Sequence, residues 1–151
     1  MAFGDILRTA TFTGDDIADL IEGIGSSSHP LAWTTWSPTY SASGSMTFTS
    51  VTTNYAKYLR IGKLIIFAIK ATGTTGGTPD TTLQFTLPVT ASSDAVTGNS
   101  PFSAFTNDSS TVGGFGFVSS STVGGVRKYD ATNYASGASR QIFCAGAYEA
   151  A

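Results

Sequence analysis

Ten carboxylates, one histidine and one cysteine are what this 151-residue chain offers for acid–base, nucleophilic or metal chemistry. The densest carboxylate group is Asp15, Asp16 and Asp19. Its spacing matches no calcium loop, and with Glu22 it suits the positive N-terminal end of a helix instead. His29 lies in the run Ser26-Ser27-Ser28-His29-Pro30, which has linker composition. A lone histidine cannot complete a dyad or triad from elsewhere in the chain. Asp80, Asp94, Asp108 and Asp130 fall where turns are expected, and aspartate serves turns by bonding to nearby backbone. A glycosidase would need two such carboxylates facing each other across a substrate, and no motif here sets up that pair. Cys144, in IFCAGAY, has the surroundings of a small buried hydrophobe. With no second cysteine there is neither an intrachain disulfide nor finger-type metal spacing. The glycines Gly73, Gly76 and Gly77 precede no helix and no Lys-Ser/Thr pair, so they do not form a phosphate cradle. What remains is an aromatic group, Trp33, Trp36 and Tyr40, which can close the end of a β-domain or stack on the apolar faces of sugars. The expectation is a chain with no catalytic residue, no cofactor and no metal.

Charge narrows the partners. Only 12% of residues are charged, about half of the usual ~25%. The net charge is −2, and no cationic cluster exceeds Arg127-Lys128. Phosphate backbones and anionic bilayers demand several cations on one face, so neither nucleic acid nor membrane is expected as a partner. The opening MAFGDILRTATF has no charged n-region followed by a long apolar run, so neither a signal peptide nor a membrane span is expected, and synthesis is assigned to a cytoplasm.

The elements that would position these residues are strands. Serine, threonine, glycine and β-branched residues replace charge as filler, which favours an all-β domain rich in turns. Period-two alternation marks Met46–Thr49, Tyr55–Ile61, Leu64–Ala71, Thr81–Leu87, Phe102–Thr106, Val112–Val118, Val123–Tyr129 and Arg140–Tyr148. Gly62-Lys63 is a two-residue hairpin loop, and Thr72–Pro79 is expected as a flexible loop. The glycines of Val112–Val118 imply bulges or close backbone approach. About eight strands suit an antiparallel β-sandwich or jelly roll over residues 31–151. Leu64–Ala71 is apolar on both faces, with Ile65, Phe67 and Ile69 opposing Leu64, Ile66 and Ala68. One face must meet the core, so the other is expected to meet another layer or another subunit; Leu64, Ile66 and Ala68 are the candidate subunit-interface residues.

Residues 1–30 form a separate arm. Phe3, Ile6, Leu7 and Phe12 are apolar anchors within it. Thr13 or Asp15 can cap a short helix, and Ile17, Leu20, Ile21 and Ile24 fall on one helical face before Gly25. So short a helix is marginal alone in water. Its stripe therefore needs its own domain, copies of itself or a foreign surface, and all eight residues are candidate docking residues.

The order Trp33…Trp36-Ser-Pro38, Ser43-Gly44-Ser45-Met46, Tyr58…Ile61-Gly62-Lys63 and Phe85-Thr-Leu-Pro88, with Arg127-Lys128-Tyr129-Asp130 and Gly146-Ala-Tyr148-Glu149, resembles a β-sandwich module of tailed-bacteriophage virion proteins. The resemblance spans roughly residues 33–149. It implies a homotrimer on the virion surface, either a head decoration (cement) protein bound to the major capsid protein or other virion proteins, or a tail-fibre or receptor-binding tip that recognises a host glycan. The resemblance carries over no catalytic residue. Without sustained heptads or internal repeats there is no fibre shaft, which favours decoration.

Overall fold

The computed structural model describes residues 32–108 and 111–151. The chain divides into two units, Met1–Ala32 and Trp33–Ala151. The description that follows concerns the second, and the arm with its eight docking candidates lies outside the described residues.

The all-β expectation holds. Nine strands are present among the described residues: β1 (Thr34–Thr35), β2 (Tyr40–Ala42), β3 (Met46–Ile61), β4 (Leu64–Gly77), β5 (Thr82–Thr86), β6 (Pro101–Asn107), β7 (Thr111–Ser120), β8 (Val123–Lys128) and β9 (Gly137–Glu149). They form a single sheet in the order β1-β3-β4-β9-β6-β7-β8-β5-β2, and every pairing is antiparallel. One short helix, α1 (Ser93–Thr97), begins where the Ser92 side chain accepts a hydrogen bond from Ala95 N.

The two layers of the expected sandwich are thus two parts of one sheet that folds over on itself. Phe67 shows this most directly. It lies on β4, yet its ring stands 6.0 Å from Phe85 on β5, five places along the strand order. It also meets Phe102 at 5.0 Å, Tyr148 at 6.0 Å and Trp36 at 6.4 Å. The edge strand β2 returns to β3, where Tyr40 packs edge-on against Phe48 and its hydroxyl lies 2.8 Å from Thr53 Oγ1. Ile65, Ile69, Leu83, Val118, Val126 and Ile142 complete a dry interior.

Three details differ from the sequence expectation. Met46–Thr49 and Tyr55–Ile61 are not separate strands but the two ends of β3, joined through register shifts at Thr49/Thr52 and Thr53/Tyr55, with Ser50 at φ 51°. A bulge keeps pairing going where alternation lapses, and so hides the strand's continuity from a period-two reading. The expected loop Thr72–Pro79 is instead mostly β4, which pairs with β3 as far as Gly77. Gly73 is required there because the Phe48 ring occupies the space that a Cβ would need. The helix α1 and the short strands β1 and β2 went unexpected. Gly62 at φ 59° makes the hairpin between Ile61 and Leu64 as anticipated.

The close approach implied by the glycine-rich strand is found at Gly116, where a Cβ would lie 1.8 Å from the Phe102 ring, whereas at Gly113 it would meet nothing within 4 Å among the described residues. Chemical denaturation should therefore show Gly116→Ala destabilising by about 1–3 kcal/mol as Phe102 is displaced. Gly113→Ala should change stability by less than about 0.5 kcal/mol.

Candidate functional site

Alternation on β4 sends Ile65, Phe67, Ile69 and Ala71 into the core, and the other row outward. Pairing register carries that outward row across neighbouring strands. One crosswise row runs Tyr55, Lys70, Phe143, Phe105 over β3, β4, β9 and β6. The next runs Lys57, Ala68, Ala145, Ser103 and reaches Phe115 on β7. Then come Leu59, Ile66 and Ala147, and at the hairpin end Ile61, Leu64 and Glu149. Large apolar side chains stand on this face in solvent: Leu64 is 44% exposed, Ile61 47%, Phe105 47%, Tyr55 43% and Phe115 43%. Monomeric proteins rarely leave so continuous an apolar surface uncovered.

The face is shaped as well as apolar. Its middle is paved with the small residues Ala68, Ala145, Ala147 and Ser103. Larger side chains border them on both sides, with Tyr55 and Leu59 on β3 and Phe105 and Phe115 on β6 and β7. Trp33, 52% exposed, joins Tyr55, Lys57 and Ala68 around a shallow hollow of about 410 Å3. A second hollow of about 420 Å3 lies among Asn99, Pro101, Phe115, Phe117 and Arg127, where the Arg127 guanidinium rests 5.0 Å from the Phe117 ring centre. Lys57 and Lys70 are the charges of the central rows, and Lys70 Nζ sits 4.7 Å over the Phe143 ring. The acid on this face, Glu149, is at its end beside Lys63, 4.0 Å away.

Leu64, Ile66 and Ala68 therefore lie together on the outer face, Leu64 exposed and the other two half-buried. The three aromatics do not come together. Trp36 packs inward against Phe67 and Tyr58 and donates its indole N–H to Thr86 O at 3.2 Å. Tyr40 packs on Phe48. Trp33 alone is offered to solvent. Sequence reasoning missed Phe105 and Phe115, although the parity of the closing strand, with Phe143, Ala145 and Ala147 on one side, pointed to this face.

Of the turn aspartates, Asp130 behaves as expected. It accepts from Thr132 N and Oγ1, and these bonds hold its carboxyl below the usual range. Asp108 does not. It is buried at 8% exposure and accepts from Lys128 Nζ at 3.0 Å and from Ala135 N at 3.1 Å, with Arg140 Nε 3.3 Å away. Lys128 also donates to Asn133 O, and Tyr134 beside it is fully buried. This cluster pins the 129–136 connection to β8 and β9. Asp80, which accepts from Thr81 N, Asp108 and Asp130 are thus spent on turns and fastening. Among the described residues, no group of three or more His, Cys, Asp or Glu is placed to hold a metal, and no helix is long and apolar enough to cross a membrane. Burial pushes the Cys144 thiol up.

No family model, curated protein or solved structure matches this chain.

Two stability tests follow from the buried groups. Asp108→Ala strands two buried cations and should cost about 3–5 kcal/mol in denaturant unfolding. Burial pushes the Tyr148 hydroxyl up to about 12 from 10.0. A phenol whose folded pKa is raised stabilises below its unfolded pKa, and that contribution is lost as pH rises through the folded value. The Tyr148 contribution should thus be level below pH 10 and fall between about 10 and 12 by on the order of 2 kcal/mol. Tyr148→Phe should shrink that fall in pH-dependent melts.

Proposed function

We propose that this chain is a structural protein of a bacteriophage virion: a homotrimeric capsid decoration (cement) protein, exposed on the particle surface, that docks through its N-terminal arm and stabilises the head. The observation that carries the reading is the outer face of β3, β4, β9 and β6, a broad and largely apolar surface on a domain in which Asp80, Asp108 and Asp130 are engaged in turns and fastening. Such a domain is suited to assembly. The resemblance of residues 33–149 to virion β-sandwich modules supplies the kind of assembly. In this reading Leu64, Ile66 and Ala68 belong to the contact between copies, and Phe3, Ile6, Leu7 and Phe12 grip the major capsid protein or another virion protein. Many copies on a lattice make weak grips effective through avidity.

A second reading, a tail-fibre or receptor-binding tip that recognises a host glycan, is favoured by Trp33, whose exposed ring borders the hollow with Tyr55. Stacking of one ring on a sugar face is the chemistry it would use.

Replacing Phe3, Ile6, Leu7 and Phe12 by serine should abolish co-sedimentation with phage heads while the chain still self-associates; undiminished co-sedimentation would remove the docking role. On a glycan array, binding that vanishes with Trp33→Ala would favour the second reading, and absence of binding would eliminate it.

A further inference from the structure

We infer that the outer face of β3, β4, β9 and β6 is the groove that receives residues 13–24 of a neighbouring copy of this chain. The inference rests on the self-association part of the reading above and names what holds the copies together.

Shape is the first argument. Ala68, Ala145 and Ala147 form a depression between Tyr55 and Leu59 on one side and Phe105 and Phe115 on the other, closed along the strands by Ile66 and Phe143, and it leaves room for apolar side chains from above. A flat opposing sheet would bridge the rims and leave the floor empty. Ile17, Leu20, Ile21 and Ile24 recur in the sequence with helical period, the spacing that would present them as one ridge. This is the pattern by which an amphipathic segment fills an apolar groove.

Charge is the second argument, and it is independent of shape. Residues 1–32 carry one basic residue, Arg8, against five acidic ones, whereas residues 33–151 carry seven basic against five acidic. The acids of the first part concentrate at Asp15, Asp16, Asp19 and Glu22, around the apolar stripe. The central rows of the face present Lys57 and Lys70 and no carboxylate. Opposite signs across a contact favour it, and like signs oppose it.

The same lysines argue against the simplest alternative. A two-fold pairing of this face with itself would bring four lysines, Lys57 and Lys70 from each copy, into one contact whose central rows hold no carboxylate to offset them. A head-to-tail exchange has no such conflict. Each chain owns one acidic stripe and one basic groove, so handing the stripe to the next copy fills every groove when the ring closes. The described chain begins beside this face, with Trp33 at its rim.

The test uses two full-length variants, Ile21→Cys with one affinity tag and Ala145→Cys with another, co-expressed and oxidised gently, beside a third chain that carries both substitutions and is expressed alone. Ala145 is exposed at the centre of the groove, and the native Cys144 is buried, so it stays out of the exchange. A disulfide-linked dimer bearing both tags is expected. Its yield should drop at least tenfold when Lys57→Glu and Lys70→Glu are added, with unchanged thermal unfolding as the folding control. A disulfide that forms only within a chain carrying both cysteines would overturn the exchange between copies. No disulfide in either arrangement, with both variants folded, would overturn the groove itself. No capsid is present in this experiment, so its result is separate from that of the shell-docking test.

Discussion

Strand β4 imposes the constraint from which the rest of this domain follows. A strand has two faces, and every second residue goes to each. From Leu64 to Ala71 both rows are apolar apart from Lys70. One row can enter the interior, and Phe67 does so at the junction of the folded-over sheet, touching rings from β5, β6 and β9. The other row is then obliged to face out. Antiparallel register transmits that obligation to β3 and β9, and through β9 to β6, so one strand's surplus of apolar residues becomes a face several strands wide.

The polar chemistry of the domain serves the same end. Asp108, Lys128 and Arg140 fasten the 129–136 connection near the ends of β8 and β9, in a place where an unpaired charge would be costly. Asp130 locks a turn through Thr132. Ser92 caps the short helix α1. Charges so engaged hold a scaffold, and the scaffold presents a surface.

Much of this was legible in the sequence because alternation is a local signal. The two rows of Leu64–Ala71, the hairpin at Gly62-Lys63 and the closing strand through Tyr148 needed no knowledge of distant residues. What escaped was what depends on distant partners. Thr72–Gly77 has the composition of a loop, yet it pairs with Met46–Thr49 because the Phe48 ring fits over Gly73. Asp108 resembles its fellow turn aspartates until Lys128 and Arg140, twenty and more residues away, close on it. Trp33, Trp36 and Tyr40 are near neighbours in sequence, yet Trp33 is exposed while Trp36 and Tyr40 pack inward, because short edge strands turn there. Phe105 joined the outer face through its pairing with Phe143, which no local pattern foretells.

The central claim is that the outer face is covered by another copy in the working protein. Sedimentation equilibrium of the full chain over micromolar concentrations tests it most directly. The account predicts a mass that is a multiple of the 15.6 kDa chain, with three as the expected multiple. A mass of 15.6 kDa throughout that range would contradict it, because the face would then stand open in solution.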